Sequence, residues 1–146
     1  MAEKLDLVVR NGMILYPEKT VFGDLGVAEG RIVRLGKPGT LRGTEILDAE
    51  GRYVLPGVID PHTHPVYLDN LEGLARTAAW GGVTTVAHYA YAKPGQSQLR
   101  VIRDWKTEEQ GGSCIDFALH GGLFETLKQA EEIPACFEEG VTSFKM

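Results

Sequence analysis

The sequence predicts an α/β fold in two parts: a small β-rich module over residues 1–55, then a parallel β/α sheet over 56–146. Three observations carry this. Short apolar runs separated by Asn-Gly and Glu-Gly pairs fill the first 55 residues, at the spacing of a small sandwich. The texture changes at Pro56-Gly57. Beyond it, β-branched runs alternate with stretches of helical periodicity, the pattern of βαβ units.

In the first part, Leu5–Arg10 reads as a strand, and Asn11-Gly12 as a two-residue hairpin turn into Met13–Tyr16. Asp24–Ala28 and Arg31–Leu35 flank a second turn at Glu29-Gly30, and Glu50-Gly51 separates Ile46–Asp48 from Tyr53–Leu55. In the second part, Val58–Ile59–Asp60 is a short strand. Leu71, Leu74, Ala75 and Ala78 then fall on one face of a helix over Asn70–Trp80, with Asn70 as N-cap and Gly81 as C′ residue. Val83–Ala87 is the next strand, and Ser97 caps a helix running to about Gln110. Ile115–Leu119 is a third strand, a helical stretch from Glu125 restarts at Pro134, and Val141–Met146 is a fourth strand after Gly140.

Composition narrows the function classes. Of 146 residues, 43% are apolar and 24% charged, ordinary for a globular chain and unlike a disordered one. Fifteen basic against twenty acidic residues give a net charge of −5, and the basic residues are scattered. Neither a nucleic acid nor an anionic membrane is an expected partner. No apolar run approaches the ~20 residues that span a bilayer. The start, Met1–Asp6, carries acids where a secretion signal would be basic and then apolar. Cys114 and Cys136 lie 22 apart with no CxxC spacing, so the expected compartment is a reducing cytoplasm.

The chemistry-bearing residues sit at the end of the Val58–Asp60 strand. His62 and His64 are two apart, so on an extended backbone their imidazoles project to the same side and can converge on one ion. The C-terminal end of a parallel strand is where such folds place their chemistry. By the same alternation Asp60 lies one layer deeper, where it could orient a ligand, and Thr63 packs away.

Pro56-Gly57-Val58-Ile59-Asp60-Pro61-His62-Thr63-His64 resembles the strand-1 signature of the amidohydrolase superfamily, in the form of its cyclic amidohydrolases: dihydropyrimidinases, hydantoinases, allantoinases and dihydroorotases. The lead-in Asp48–Leu55, the Gly81-Gly82-Val83-Thr84-Thr85 segment and Gly140–Lys145 resemble further segments of that branch, in the same order along almost the whole chain. The resemblance implies the first strands of a (β/α)8 TIM-type barrel behind part of an N-terminal β-sandwich. The barrel is incomplete here, since a complete one takes about 250 residues. It also implies two divalent metal ions, most often Zn2+. His62 and His64 would hold one ion, and Lys145, carboxylated by carbon dioxide, would bridge both. A free ammonium repels cations, whereas a carbamate is anionic and bidentate. The family's remaining ligands, two histidines and an aspartate, lie on strands beyond residue 146. The implied substrate is a small cyclic amide or ureide, and the implied assembly a homo-oligomer, by resemblance a tetramer.

His88 and His120, at the ends of the second and third strands, match no ligand position of the family and read as packing or pocket-lining residues. Cys114 and Cys136 read as small buried residues, and Trp80 and Trp105 as helix-packing ones. After His64, Pro65–Asn70 enters the helix more quickly than in hydantoinases and dihydropyrimidinases, a departure that bears on substrate choice. Two rival readings remain: a non-catalytic scaffold on the same fold, from which retention of both histidines and the lysine argues away, and an inactive short product.

Overall fold

The computed structural model describes residues 4–65, 70–109 and 111–146. The chain forms two compact units that divide between Pro56 and Gly57.

The first unit is one mixed five-stranded sheet built around β1 (Leu5–Leu15). Antiparallel to it runs β2 (Thr20–Ala28), which turns through Glu29-Gly30 into β3 (Arg31–Gly36). Both turn residues have positive φ, 50° and 70°, as the expected hairpin requires. On the other edge of β1, β4 (Gly43–Asp48) and β5 (Tyr53–Val54) pair in parallel, one after the other. The second layer that a sandwich needs is not formed among the described residues of this unit.

The expected hairpin at Asn11-Gly12 is not a turn. The strand runs straight through it, and Asn11 takes a left-handed conformation at φ 54° inside a β-bulge. Val9 pairs with Leu25 and Gly12 with Gly23, so Arg10 and Asn11 together oppose Asp24 alone. Long-range bonds hold the residue there. The Asn11 amide donates to both carboxylate oxygens of Asp48, and its backbone N–H donates to Asp24 Oδ1 at 3.0 Å. On the far edge, the Glu50-Gly51 loop between β4 and β5 matches the bulge, with the Gly51 N–H donating to the Asn11 carbonyl. Asp24 is fully buried and also accepts the backbone N–H groups of Gly39 and Leu41. Burial alone would raise its pKa; the surrounding backbone N–H groups outweigh it and hold the carboxyl below its ordinary 3.8.

The second unit is a parallel sheet in the order β6 (Val58–Thr63), β7 (Val83–Ala92), β8 (Asp116–Leu123), β9 (Phe144–Lys145). Helices α1 (Leu71–Trp80), α2 (Gln98–Glu109), and α3 (Thr126–Ala130) with α4 (Ile133–Glu138) form the connections. The strands expected at 58–60, 83–87 and 115–119 are therefore parallel neighbours. Asn70 Oδ1 caps α1 by accepting the Gly73 N–H, and Ser97 Oγ accepts the Arg100 N–H at the start of α2. At the end of α1, Gly82 rather than Gly81 takes the left-handed conformation. Gln110, where the α2 stretch was expected to stop, lies outside the described residues, as does 66–69 of the segment after His64.

One face of this sheet packs on helices. Ala90, Ile102, Leu119, Cys136 and Val141 form its core, with Trp105 and Phe144 against them. Val141 lies in this core, and the ladder of the last strand begins only at Phe144. Trp80, expected to pack, is 93% exposed, and Cys114 is exposed whereas Cys136 is buried. None of the described helices is long and apolar enough to cross a membrane.

Candidate functional site

The site lies on the other face of the parallel sheet, and its position follows from alternation along β7. Val86, His88 and Ala90 are fully or almost fully buried. His88 packs edge-on against Trp105 at 5.0 Å, so it is a packing residue as expected. Tyr89 and Tyr91 project to the opposite side and stack on each other at 5.5 Å.

The Tyr89 ring is the centre of a cluster. The His62 and His64 rings lie 5.0 and 4.9 Å from it, the His120 ring 4.9 Å, and the Lys145 ammonium 5.3 Å. Residues from all four strands thus meet around one aromatic ring. Glycine at 122 makes room for the neighbouring Tyr91: a Cβ there would come within 2.6 Å of its ring atom Cε1.

His62 and His64 face each other with their Nε2 atoms 3.0 Å apart. Tyr91 OH lies 3.2 Å from His64 Nδ1, and Tyr89 OH lies 3.5 Å from His62 Nδ1. Burial, then the neighbouring His62 and the Lys145 ammonium, hold the His64 imidazole below its ordinary 6.5. His64 is therefore held toward the neutral form, the one that can ligate a metal.

Asp60 plays a different part from a simple alternation. The register between β6 and β7 slips twice, so Asp60 pairs with Val86 and Thr63 with His88. Asp60 thus stands in register with the buried set of β7, and its Oδ1 accepts the backbone N–H of His62 at 3.0 Å. Its contact fixes the backbone that carries the first histidine.

His120, read from sequence as packing or pocket lining, bonds on both ring nitrogens. Nε2 lies 2.9 Å from the Pro61 carbonyl, and Nδ1 bonds the Ser143 hydroxyl. The tyrosines were missed because the strand read as Val83–Ala87 continues to Ala92. The alternation of small and aromatic residues in Ala87-His88-Tyr89-Ala90-Tyr91-Ala92 was the signal that could have extended it.

The two-histidine geometry suits a divalent ion. Two bonds of about 2.05 Å meeting at 90–109° place the nitrogens about 2.9–3.3 Å apart, which brackets the 3.0 Å found. Among the described residues, no three His, Cys, Asp or Glu side chains converge where one ion could hold them. Lys145 supplies an amine beside the pair: its ammonium lies over the Tyr89 ring and acts on His64.

The chain is 34% identical over 148 residues to D-hydantoinase of Geobacillus stearothermophilus, covering 95% of this chain and 31% of that protein. It is 32% identical over 160 residues to dihydropyrimidinase of Rattus norvegicus, covering 100% and 31%. A solved D-hydantoinase structure superposes with a TM-score of 0.88 at 31% identity, over 97% of this chain and 33% of that one. The chain belongs to the hydantoinase/dihydropyrimidinase family. It corresponds to the N-terminal portion of the family and spans about a third of the length of these relatives. No protein-family model matches the chain.

Proposed function

We propose that the chain forms the front of a metal-dependent hydrolase that opens the ring of a small cyclic amide or ureide by breaking a C–N bond. The substrate class spans dihydropyrimidines, hydantoins, allantoin and dihydroorotate. In this reading residues 1–55 are part of a β-sandwich, and 56–146 supply the first four strands of a (β/α)8 barrel. The observation that carries it is the facing Nε2 pair of His62 and His64, at the C-terminal end of the first parallel strand of a hydantoinase-like chain.

His62 and His64 would hold one ion through Nε2. Each Nδ1 would then carry a proton and donate it to a tyrosine oxygen, His64 to Tyr91 and His62 to Tyr89. Lys145 would be the bridge. Its neutral amine would add carbon dioxide, forming an N–C bond and releasing one proton, and the resulting anionic carbamate would help to hold the ions. Bound there, two divalent ions, zinc foremost, supply Lewis acidity that polarises a scissile carbonyl and lowers the pKa of water. The chain's own contribution is placement. Asp60 fixes the His62 backbone, and both imidazoles and the lysine gather around the Tyr89 ring.

Lys145 gives the test. In the whole protein, Lys145→Ala should lose bound metal and ring-opening of dihydrouracil or hydantoin, and Lys145→Arg should fail as well, because a guanidinium stays protonated. A short carboxylic acid added to the alanine variant should restore part of the rate. If the alanine variant, at matched folding, keeps two metals and most of its turnover, the reading is wrong. The 146-residue chain alone should turn over neither substrate, and metal-dependent turnover by it would show that the machinery lies elsewhere.

A further inference from the structure

We propose that His120 is a positioning residue: its imidazole ties the strand bearing His62 and His64 to the strand bearing Lys145 and sets the spacing between them. The inference rests on the metal-site reading given above.

His120 stands on β8 in register with Tyr89 of β7 and lies against that ring, tilted by 36°. Its two nitrogens reach in opposite directions across the sheet. Toward β6, Nε2 meets the carbonyl oxygen of Pro61, the residue immediately before His62. A carbonyl can only accept, so Nε2 carries the proton. In the neutral ring Nδ1 is then a bare acceptor, and it takes the hydroxyl proton of Ser143, two residues before Lys145. In the neutral ring only this tautomer satisfies both bonds, because the Pro61 carbonyl cannot donate.

The ladder itself leaves this link to be made. Register slips between Asp60 and Thr63, at the point where the first strand hands over to its histidines. The last strand is two residues long, paired only through Gly121–Phe144 and Gly122–Lys145. Two weakly laddered segments carry all three candidate ligands, and the imidazole connects them. It acts through the Pro61 backbone and the Ser143 hydroxyl.

The test measures zinc affinity in the whole protein by competition with a chromophoric chelator, on variants whose thermal midpoints match wild type. His120→Ala should weaken zinc binding about 10–100-fold, the usual cost of losing an orienting partner. His120→Gln, whose amide N–H can reach the Pro61 carbonyl, should recover part of the loss. Ser143→Ala removes one arm only, serves if His120→Ala fails to fold, and should cost less than His120→Ala. In the double variant the two losses should not add, because both act through one link. His62→Ala separates this inference from the reading beneath it. If His62→Ala abolishes tight zinc binding while His120→Ala and Ser143→Ala stay within twofold of wild type, His120 is a pocket wall and the positioning role is overturned. If His62→Ala also leaves affinity unchanged, the metal site itself is misplaced and both fall.

Discussion

Asp24 is the residue on which the first unit should depend most. It is fully buried, and its carboxylate accepts backbone N–H groups from Asn11 at 3.0 Å, Gly39 at 3.0 Å and Leu41 at 3.1 Å. Alanine at this position strands three donors. Each buried donor left without a partner costs about 1–3 kcal/mol, and water entering the half-buried loop keeps the sum near the lower end, about 3–5 kcal/mol. That approaches the whole stability of a small unit. Asp24→Asn keeps one acceptor oxygen but loses the charge and turns an N–H toward one donor, for about 1–3 kcal/mol. Both tryptophans lie in the second unit, so their fluorescence does not report this loss. Amide hydrogen exchange does: Asn11, Gly39 and Leu41 should lose protection together in Asp24→Ala. The pH dependence has a fixed sign. A carboxyl whose pKa is lowered on folding contributes its stability above the unfolded value of 3.8 and loses it as pH falls through the lower folded value. The advantage of wild type over Asp24→Ala should therefore be complete above about pH 4–5 and shrink below it. A loss under about 0.5 kcal/mol, with the Gly39 and Leu41 amides still protected, would refute the account of this carboxylate as the organiser of the bulge.

Three further outcomes follow from the same geometry. Asn11→Gly keeps the positive φ and loses only the bonds to Asp48, whereas Asn11→Ala must also hold φ 54°, so urea titration should find the alanine variant about 1 kcal/mol the less stable of the two. Gly122→Ala drives a methyl into the Tyr91 ring and should cost about 1–3 kcal/mol, while Gly112→Ala, whose nearest neighbour would stand at 3.9 Å, should change little in thermal unfolding. Ile102→Ala empties a fully buried position beside Trp105 and should lose about 2–5 kcal/mol, followed by tryptophan fluorescence.

The second unit was legible because its signals are local. Asn70 caps the helix it precedes, a left-handed glycine ends it, and β-branched runs mark the strands. The first unit was legible only where the turn chemistry acted alone. Glu29-Gly30 and Asn11-Gly12 carry the same kind of signal, yet only the first is a hairpin. The difference is long-range. Asp24 and Asp48, 13 and 37 residues from Asn11, both bond it and draw the left-handed residue into the ladder as a bulge. A dipeptide propensity carries no information about a carboxylate that distant.

The site divides along the same line. Two histidines two apart announce themselves, and Lys145 was reached through a family resemblance, since nothing local marks a lysine near the end of a short strand. What no pattern could give is the link between them. Pro61 contributes only a carbonyl, which every residue has. Ser143 contributes a hydroxyl at an unremarkable position, and His120 sits 59 residues from one partner and 23 from the other. A sequence can name the groups that could touch a metal, because their chemistry is in their side chains. It does not name the groups that tie those segments together, because a carbonyl, a hydroxyl and an imidazole become one link only when β6, β8 and β9 are placed in one sheet. The residues least visible in this sequence are therefore those on which the precision of the proposed site depends.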